Sequence, residues 1–240
     1  MKKFYVEDKV FELIPNLNIG VVVLKNVNEK KELNESESKE IKSLLDNANS
    51  EAKKYLTSEV ISENHVVDVW RKVYQSFPTK KGARCSVENL LKRVLHDNPV
   101  GSILPSIDIT NSISLKYALP IGAEDASKFV GDLRIGVMKG DEPYRAHGED
   151  KDEPPIEGEV AYADDEGVVC RCLNWRDAVR TEITDDTTYE FIAMECVEED
   201  RLEDLKDALN DLTNLMCKYL GASVVSTGIV NKENKEINIE

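Results

Sequence analysis

The chain has no apolar run approaching the roughly 20 residues that cross a bilayer, so no helical membrane span is expected. Behind Met1-Lys2-Lys3 comes Phe4-Tyr5-Val6-Glu7-Asp8 rather than an apolar stretch, which speaks against a secretory signal. Five cysteines, an odd number without framework spacing, suit a reducing compartment, and a cytoplasmic location is expected. There is no Gly-x4-Gly-Lys-Ser loop, no Rossmann glycine fingerprint, no Cys-x-x-Cys pair and no Gly-x-Ser-x-Gly elbow. Those absences argue against P-loop nucleotide hydrolysis, dinucleotide redox chemistry and the usual serine hydrolases. Histidine is scarce too. His65 and His96 fall at helix ends and read as structural, whereas His147 lies in a loop from which it could reach a pocket.

What is present is a globular composition, 41% hydrophobic and 32% charged over 240 residues, enough to bury a core in one large domain or two small ones. The net charge of −15 weighs against nucleic acid, because phosphate neutralisation needs Lys and Arg. The charge is segregated, however. Arg71, Lys72, Lys80, Lys81, Arg84, Lys92 and Arg93 face only Glu88 between positions 70 and 93, while eleven acids oppose Arg145 and Lys151 between 141 and 166. A basic patch within an acidic whole, or ordinary solvated helix faces, both fit that pattern. The acids around Asp150, Asp152, Glu153 and Glu157 sit beside Pro154 and Pro155 and read as a solvated loop.

Periodicity gives mixed α and β. The run 18–27 is apolar and β-branched, a strand. Helical spacing follows over 34–56, then from a cap at Ser62 through Val66, Val69, Trp70, Val73 and Phe77, then from a cap at Ser86 through His96, and over 106–118. After Pro120 and Gly122, read as a turn, the period shortens to two over 132–138, 159–163, 168–173 and 188–197. A helix over 199–220 stops at Gly221, and 222–230 reads as a last strand.

Cys170-Arg171-Cys172-Leu173-Asn174-Trp175-Arg176 carries the most chemistry. Read as the end of a strand, it delivers an amide, a flat ring and a fixed cation to one spot, as a ligand pocket requires. Strand alternation would set Cys170 and Cys172 on one side. With no further ligands spaced to complete a zinc set, they read as core cysteines.

An ordered series of residues then carries a family resemblance. It runs Trp70-Arg71-x-x-Tyr74, Arg84-x-Ser86-x-Glu88-x-Leu90-Leu91-x-Arg93, Leu104-Pro105-x-Ile107 and Asn111-x-x-Ser114-Leu115. It continues through Leu119-Pro120-x-Gly122-Ala123-x-Asp125, Gly158-Glu159-Val160-x-Tyr162-x-Asp164, Cys170-Arg171-x-x-Asn174-Trp175-Arg176 and Thr187. This resembles free-standing relatives of the B3/B4 editing region of the bacterial phenylalanyl-tRNA synthetase beta subunit, over roughly 62–197. The synthetase domain hydrolyses tyrosine wrongly esterified to the tRNA for phenylalanine, in a metal-free pocket between two subdomains. The resemblance therefore implies the acylated 3′ end of a tRNA as partner, no cofactor and no membrane. Two departures stand out. Gly122 occupies the place of a synthetase histidine, and Asn174-Trp175 replaces a glycine-rich pocket wall, so the pocket should be smaller or differently shaped.

The expectation is an α+β fold, a single domain in two lobes, helical in its first half and mostly antiparallel strands in its second. A strand and helix over 1–61 would precede an editing core over 62–198, with a helix and strand over 199–240 packed on it. The expected activity is trans-acting deacylation of misacylated tRNA. Its catalytic candidates are Asn174, Arg176 and Glu195, its substrate-lining candidates Asn111, Pro120, Gly122, Asp125, His147 and Trp175. The seven cations of the basic stretch are the RNA candidates. An activated ester needs mainly orientation, which contributes on the order of 7–11 kcal/mol, and fixed oxyanion donors, about 3–4 kcal/mol each. Bland alternatives stand beside these roles: Trp175 in the core, Arg176 paired with Asp177, Glu195 an ordinary strand acid, Asn111 bending its helix. A non-catalytic tRNA or amino-acid binding module, or a hydrolase of a small amino-acid-like substrate without RNA, are the other functional classes. The sequence carries no signal for an oligomeric state.

Overall fold

The computed structural model describes residues 1–30 and 33–240. Strand β1 (Lys3–Val6) leads through α1 (Asp8–Leu13) into β2 (Asn18–Lys25). Helices α2 (Glu35–Glu51), α3 (His65–Val73), α4 (Ser86–Leu95) and α5 (Pro105–Tyr117) follow. Next come β3 (Ile121–Asp125), β4 (Leu133–Val137), β5 (Val160–Ala163), β6 (Val168–Arg171), β7 (Arg176–Asp177) and β8 (Tyr189–Cys196). Helix α6 (Leu202–Leu220), β9 (Ser223–Val230) and β10 (Glu236–Asn238) end the chain. The class is α+β. No described helix is long and apolar enough to cross a membrane.

Strand pairing builds two sheets. One has the order β10-β1-β4-β5-β6-β7, antiparallel except where β1 runs parallel to β4; the other has the order β3-β8-β2-β9, antiparallel throughout. Their facing sides share one apolar core, in which Phe4, Leu133, Ile135, Val160 and Val169 meet Ile19, Val21, Val23, Phe191 and Ala193. The opposite side of the second sheet, with Val22, Leu24, Ile192 and Met194, is covered by α5 and α6. β2 is thus buried on both faces, which is why its sequence is a continuous apolar run rather than an alternation. Gly20 lets α6 approach: a Cβ there would meet the methyl groups of Leu205 and Leu209 at 2.9–3.0 Å.

Helix ends follow their capping chemistry. Asn34 and Glu37 form a reciprocal capping box at α2, and Pro105 occupies the first turn of α5. Four placements differ from expectation. Asn64, not Ser62, precedes α3, and that helix stops at Val73, leaving Phe77 buried beyond it. Asn64 is held there because its side chain donates to the carbonyls of Ser58, Val60 and Ile61 and accepts from the Ser58 amide. Cys85 rather than Ser86 precedes α4, and the Ser86 amide, unpaired within the helix, donates to the carbonyl of Asn174 at 3.0 Å. Gly122 lies within β3 instead of in a turn, paired with Ala193 of β8.

The largest local correction concerns the 168–173 strand. It ends at Arg171, because Cys172 and Leu173 take left-handed backbone angles, φ +48° and +65°, and turn the chain back into β7. Cys170 and Cys172 therefore do not share a strand face. Both are buried, and no cysteine is bonded to another.

Candidate active site

A pocket opens where the inner faces of the two sheets diverge beside the start of α4. Ser86, Ile121, Gly122, Glu124, Tyr162, Cys170, Leu173, Asn174, Trp175, Asp177, Phe191, Ala193 and Glu195 line it, around about 50 Å³ of space. That is small against the roughly 300–1,000 Å³ of a drug-sized ligand site, and it corresponds to a few water-sized positions. Pairing of β3 with β8 sets Gly122 opposite Ala193 and Glu124 opposite Phe191, so these side chains share the face turned to the pocket. A Cβ added at Gly122 would meet nothing within 4 Å. The missing side chain at this position is part of the open space.

The turn carrying Asn174 and Trp175 is fixed by a buried ion pair. Arg171, 1% exposed, donates to Glu159 through two bonds of 3.0 and 2.7 Å, and Glu159 also accepts the Cys172 and Ile156 amides. Burial works against the Glu159 charge, but the Arg171 bonds and charge outweigh it and hold the carboxyl below its ordinary value. The Arg171 guanidinium lies over the Tyr144 and Trp175 rings, 5.5 and 5.9 Å from their centres. Two consecutive left-handed non-glycine residues cost on the order of 1–3 kcal/mol each, and this network offsets that strain where the pocket wall is made.

Behind the turn runs a hydrogen-bonded chain. The Tyr74 hydroxyl donates to Asn174 Oδ1 at 2.9 Å; Asn174 Nδ2 donates to Glu195 Oε2 at 3.2 Å; the Tyr162 hydroxyl donates to Glu195 Oε1 at 2.6 Å. Glu195 is 1% exposed, and burial pushes its carboxyl up to about 8. Glu124 is also buried, and burial together with the charge of nearby Asp177 holds its carboxyl well above the ordinary range. Burial likewise keeps the Cys170 thiol far from ionising, so it is not poised as a nucleophile.

Of the expected site residues, Gly122, Asn174, Trp175 and Glu195 converge on this pocket. The other five do not line it. Arg176 turns outward, donating to Glu149 at 3.2 Å and to the His147 carbonyl at 3.1 Å. His147 is exposed, its Nδ1 2.6 Å from Glu182. Asp125 caps the turn at Ser127 and accepts from Thr187, on the opposite face of β3 from Glu124. Asn111 lies within α5, and Pro120 contributes only its carbonyl, to the Glu195 amide. No site role attaches to Glu124 or Tyr162 from sequence, and Asp177 figures there only as a pairing partner for Arg176, which pairs with Glu149 instead. The signal for Glu124 was available, since a residue two beyond Gly122 on a strand faces the same way.

The basic stretch forms a groove beside the pocket, lined by Trp70, Arg71, Tyr74, Lys80, Lys81 and Arg84 among others, with about 260 Å³ of space. Much of its charge is already matched. Arg71 and Arg84 both face Glu88, at 2.6 and 3.3 Å, Lys72 faces Asp68 at 2.6 Å, and Lys80 faces Glu153. Arg93 donates to the Pro99 carbonyl. Lys81 and Lys92 are exposed and have no ion pair among the described residues.

No curated protein matches the chain. Among solved structures it is similar to an N-terminal fragment of the phenylalanyl-tRNA synthetase beta subunit from Pyrococcus horikoshii, at 14% identity and a TM-score of 0.49. The alignment covers 98% of this chain and 53% of that one, so the chain spans about half the length of the fragment. The B3/4 domain family matches residues 69–221, more than half the chain and all of the pocket-lining residues. The chain belongs to the B3/4 domain family.

Proposed function

We propose that the chain is a trans-acting editing hydrolase that deacylates misacylated tRNA in the pocket between β3, β8 and the Asn174 turn. The observation that carries this reading is Glu195. It is a buried carboxyl, pushed up to about 8, held between Tyr162 and Asn174 at the wall of a small pocket. A carboxyl tuned toward neutral pH exchanges protons readily there. In the proposed reaction water adds to the ester carbonyl and the carbon–oxygen bond to the ribose breaks. The ionised form of Glu195 takes the proton given up by the water and hands it on to the departing ribose oxygen, which leaves as a hydroxyl. Asn174, fixed at both ends of its amide, orients Glu195. The adjoining groove, with Lys81 exposed on it, supplies positive charge beside the pocket for the nucleic-acid backbone.

A second reading is favoured by the pairing of Arg71, Lys72, Lys80 and Arg84 with carboxylates. It is a module acting on a small amino-acid-like ligand without RNA. A panel of mischarged tRNAs separates the two. Release of the amino acid from one acyl-tRNA, lost in Glu195→Gln, supports editing. Binding of the free amino acid with every acyl-tRNA left intact overturns it in favour of the module.

A further inference from the structure

Glu124 is 5% exposed and lines the pocket; Thr181 and Asp177 stand near its carboxyl, but neither oxygen receives a hydrogen bond of good geometry among the described residues. Leaving a buried carboxyl so costs several kcal/mol in general, so a partner from outside the protein is the natural way to satisfy it. Several other polar groups of the pocket are engaged. Both Glu195 oxygens accept bonds, the Asn174 amide is held at both ends, and the Ser86 hydroxyl points at the Ile121 carbonyl. Asp177 adds a second carboxyl to the wall, and no Lys, Arg or His is among the lining residues. A wall with these carboxyls and no basic side chain is complementary to an organic cation.

We infer that Glu124, with Asp177 beside it, is the specificity-determining group of this pocket and receives the ammonium of an aminoacyl ligand with a short side chain. The inference rests on the editing reading for the ester, but the ammonium preference is a property of binding alone. The short side chain follows from volume: about 50 Å³ admits a methyl or ethyl group, not a phenol ring. Gly122 opens the space and Glu124, two residues on, supplies a carboxyl that an incoming ammonium would hold ionised, so one strand sets both features.

The test compares binding of alanine methyl ester with methyl lactate, nearly equal in shape but with hydroxyl in place of ammonium, by calorimetry or chemical-shift titration. Wild-type protein is expected to bind the alanine ester at least tenfold more tightly, with tyrosine methyl ester at least tenfold weaker than alanine. Glu124→Gln should abolish the ammonium preference while its thermal midpoint stays equal to or above wild type. Asp177→Asn serves as a second variant and should reduce the same preference. Equal binding of the two esters by wild type, or an ammonium preference that survives in Glu124→Gln, overturns the inference. Failure of the editing reading looks different: the preference stands, and no mischarged tRNA is deacylated.

Discussion

Glu195→Gln tests the electrostatics of the pocket without reference to any substrate. The wild-type carboxyl, raised from 4.5 to about 8, is held protonated in the folded chain while the unfolded chain releases its proton near 4.5. Its contribution to stability is therefore fully present below pH 4.5 and is lost as pH rises through the folded value. At about 1.36 kcal/mol for each pH unit, the loss between 4.5 and 8 reaches roughly 5 kcal/mol, with no further change above. Glutamine cannot ionise. It keeps an oxygen for the Tyr162 hydroxyl but turns an amide toward Asn174 Nδ2, which costs about 1 kcal/mol at every pH. The variant should thus be slightly less stable than wild type at pH 4.5 and several kcal/mol more stable at pH 9. Urea unfolding of both proteins across pH 4.5–9 reads the difference directly. The buried Glu190, also raised to about 8, titrates in both proteins and cancels. A difference that stays constant with pH, or runs the other way, refutes this account of Glu195.

Three further outcomes bear on the site. Gly122→Val should leave the unfolding midpoint unchanged or raised, since the strand backbone accepts a branched side chain and nothing lies within 4 Å of its Cβ, while alanine methyl ester binding falls at least tenfold; unaltered binding would place the ligand elsewhere. Glu159→Gln leaves Arg171 buried without its countercharge and should cost about 3–5 kcal/mol in chemical denaturation, whereas a cost below about 1 kcal/mol would mean that the pair does not hold the Asn174 turn. Joint replacement of Lys80, Lys81 and Arg84 by Gln should flatten the salt dependence of tRNA binding by about 1 in log–log slope rather than 3, because Lys80 and Arg84 already face Glu153 and Glu88; an unchanged slope removes the groove from the RNA reading.

Long periodic elements were legible residue by residue. β2, α2, α5, α6 and β8 lie where apolar spacing places them, because each buries a whole face and burial writes a period into the sequence. Short terminal strands escaped: β10 at the sheet edge pairs with β1 beside it, across the ends of the chain, and nothing local marks either. The site was partly legible. Gly122, Asn174, Trp175 and Glu195 come together, but Arg176 and Asp125 fall on the faces of their strands turned away from the pocket, where a shift of one residue in register decides the face.

By itself the sequence determined the α+β class, the family and the stretches that build the pocket, since hydrophobic period and an ordered set of residues survive without coordinates. The tertiary structure alone decided how small that pocket is, that Glu124 stands in it without a hydrogen bond of good geometry among the described residues, and that Glu195 is raised to about 8. Each of those depends on which distant side chains remove water from a carboxyl. That is a property of packing between β3, β8 and the turn after β6, and no local stretch of residues encodes it.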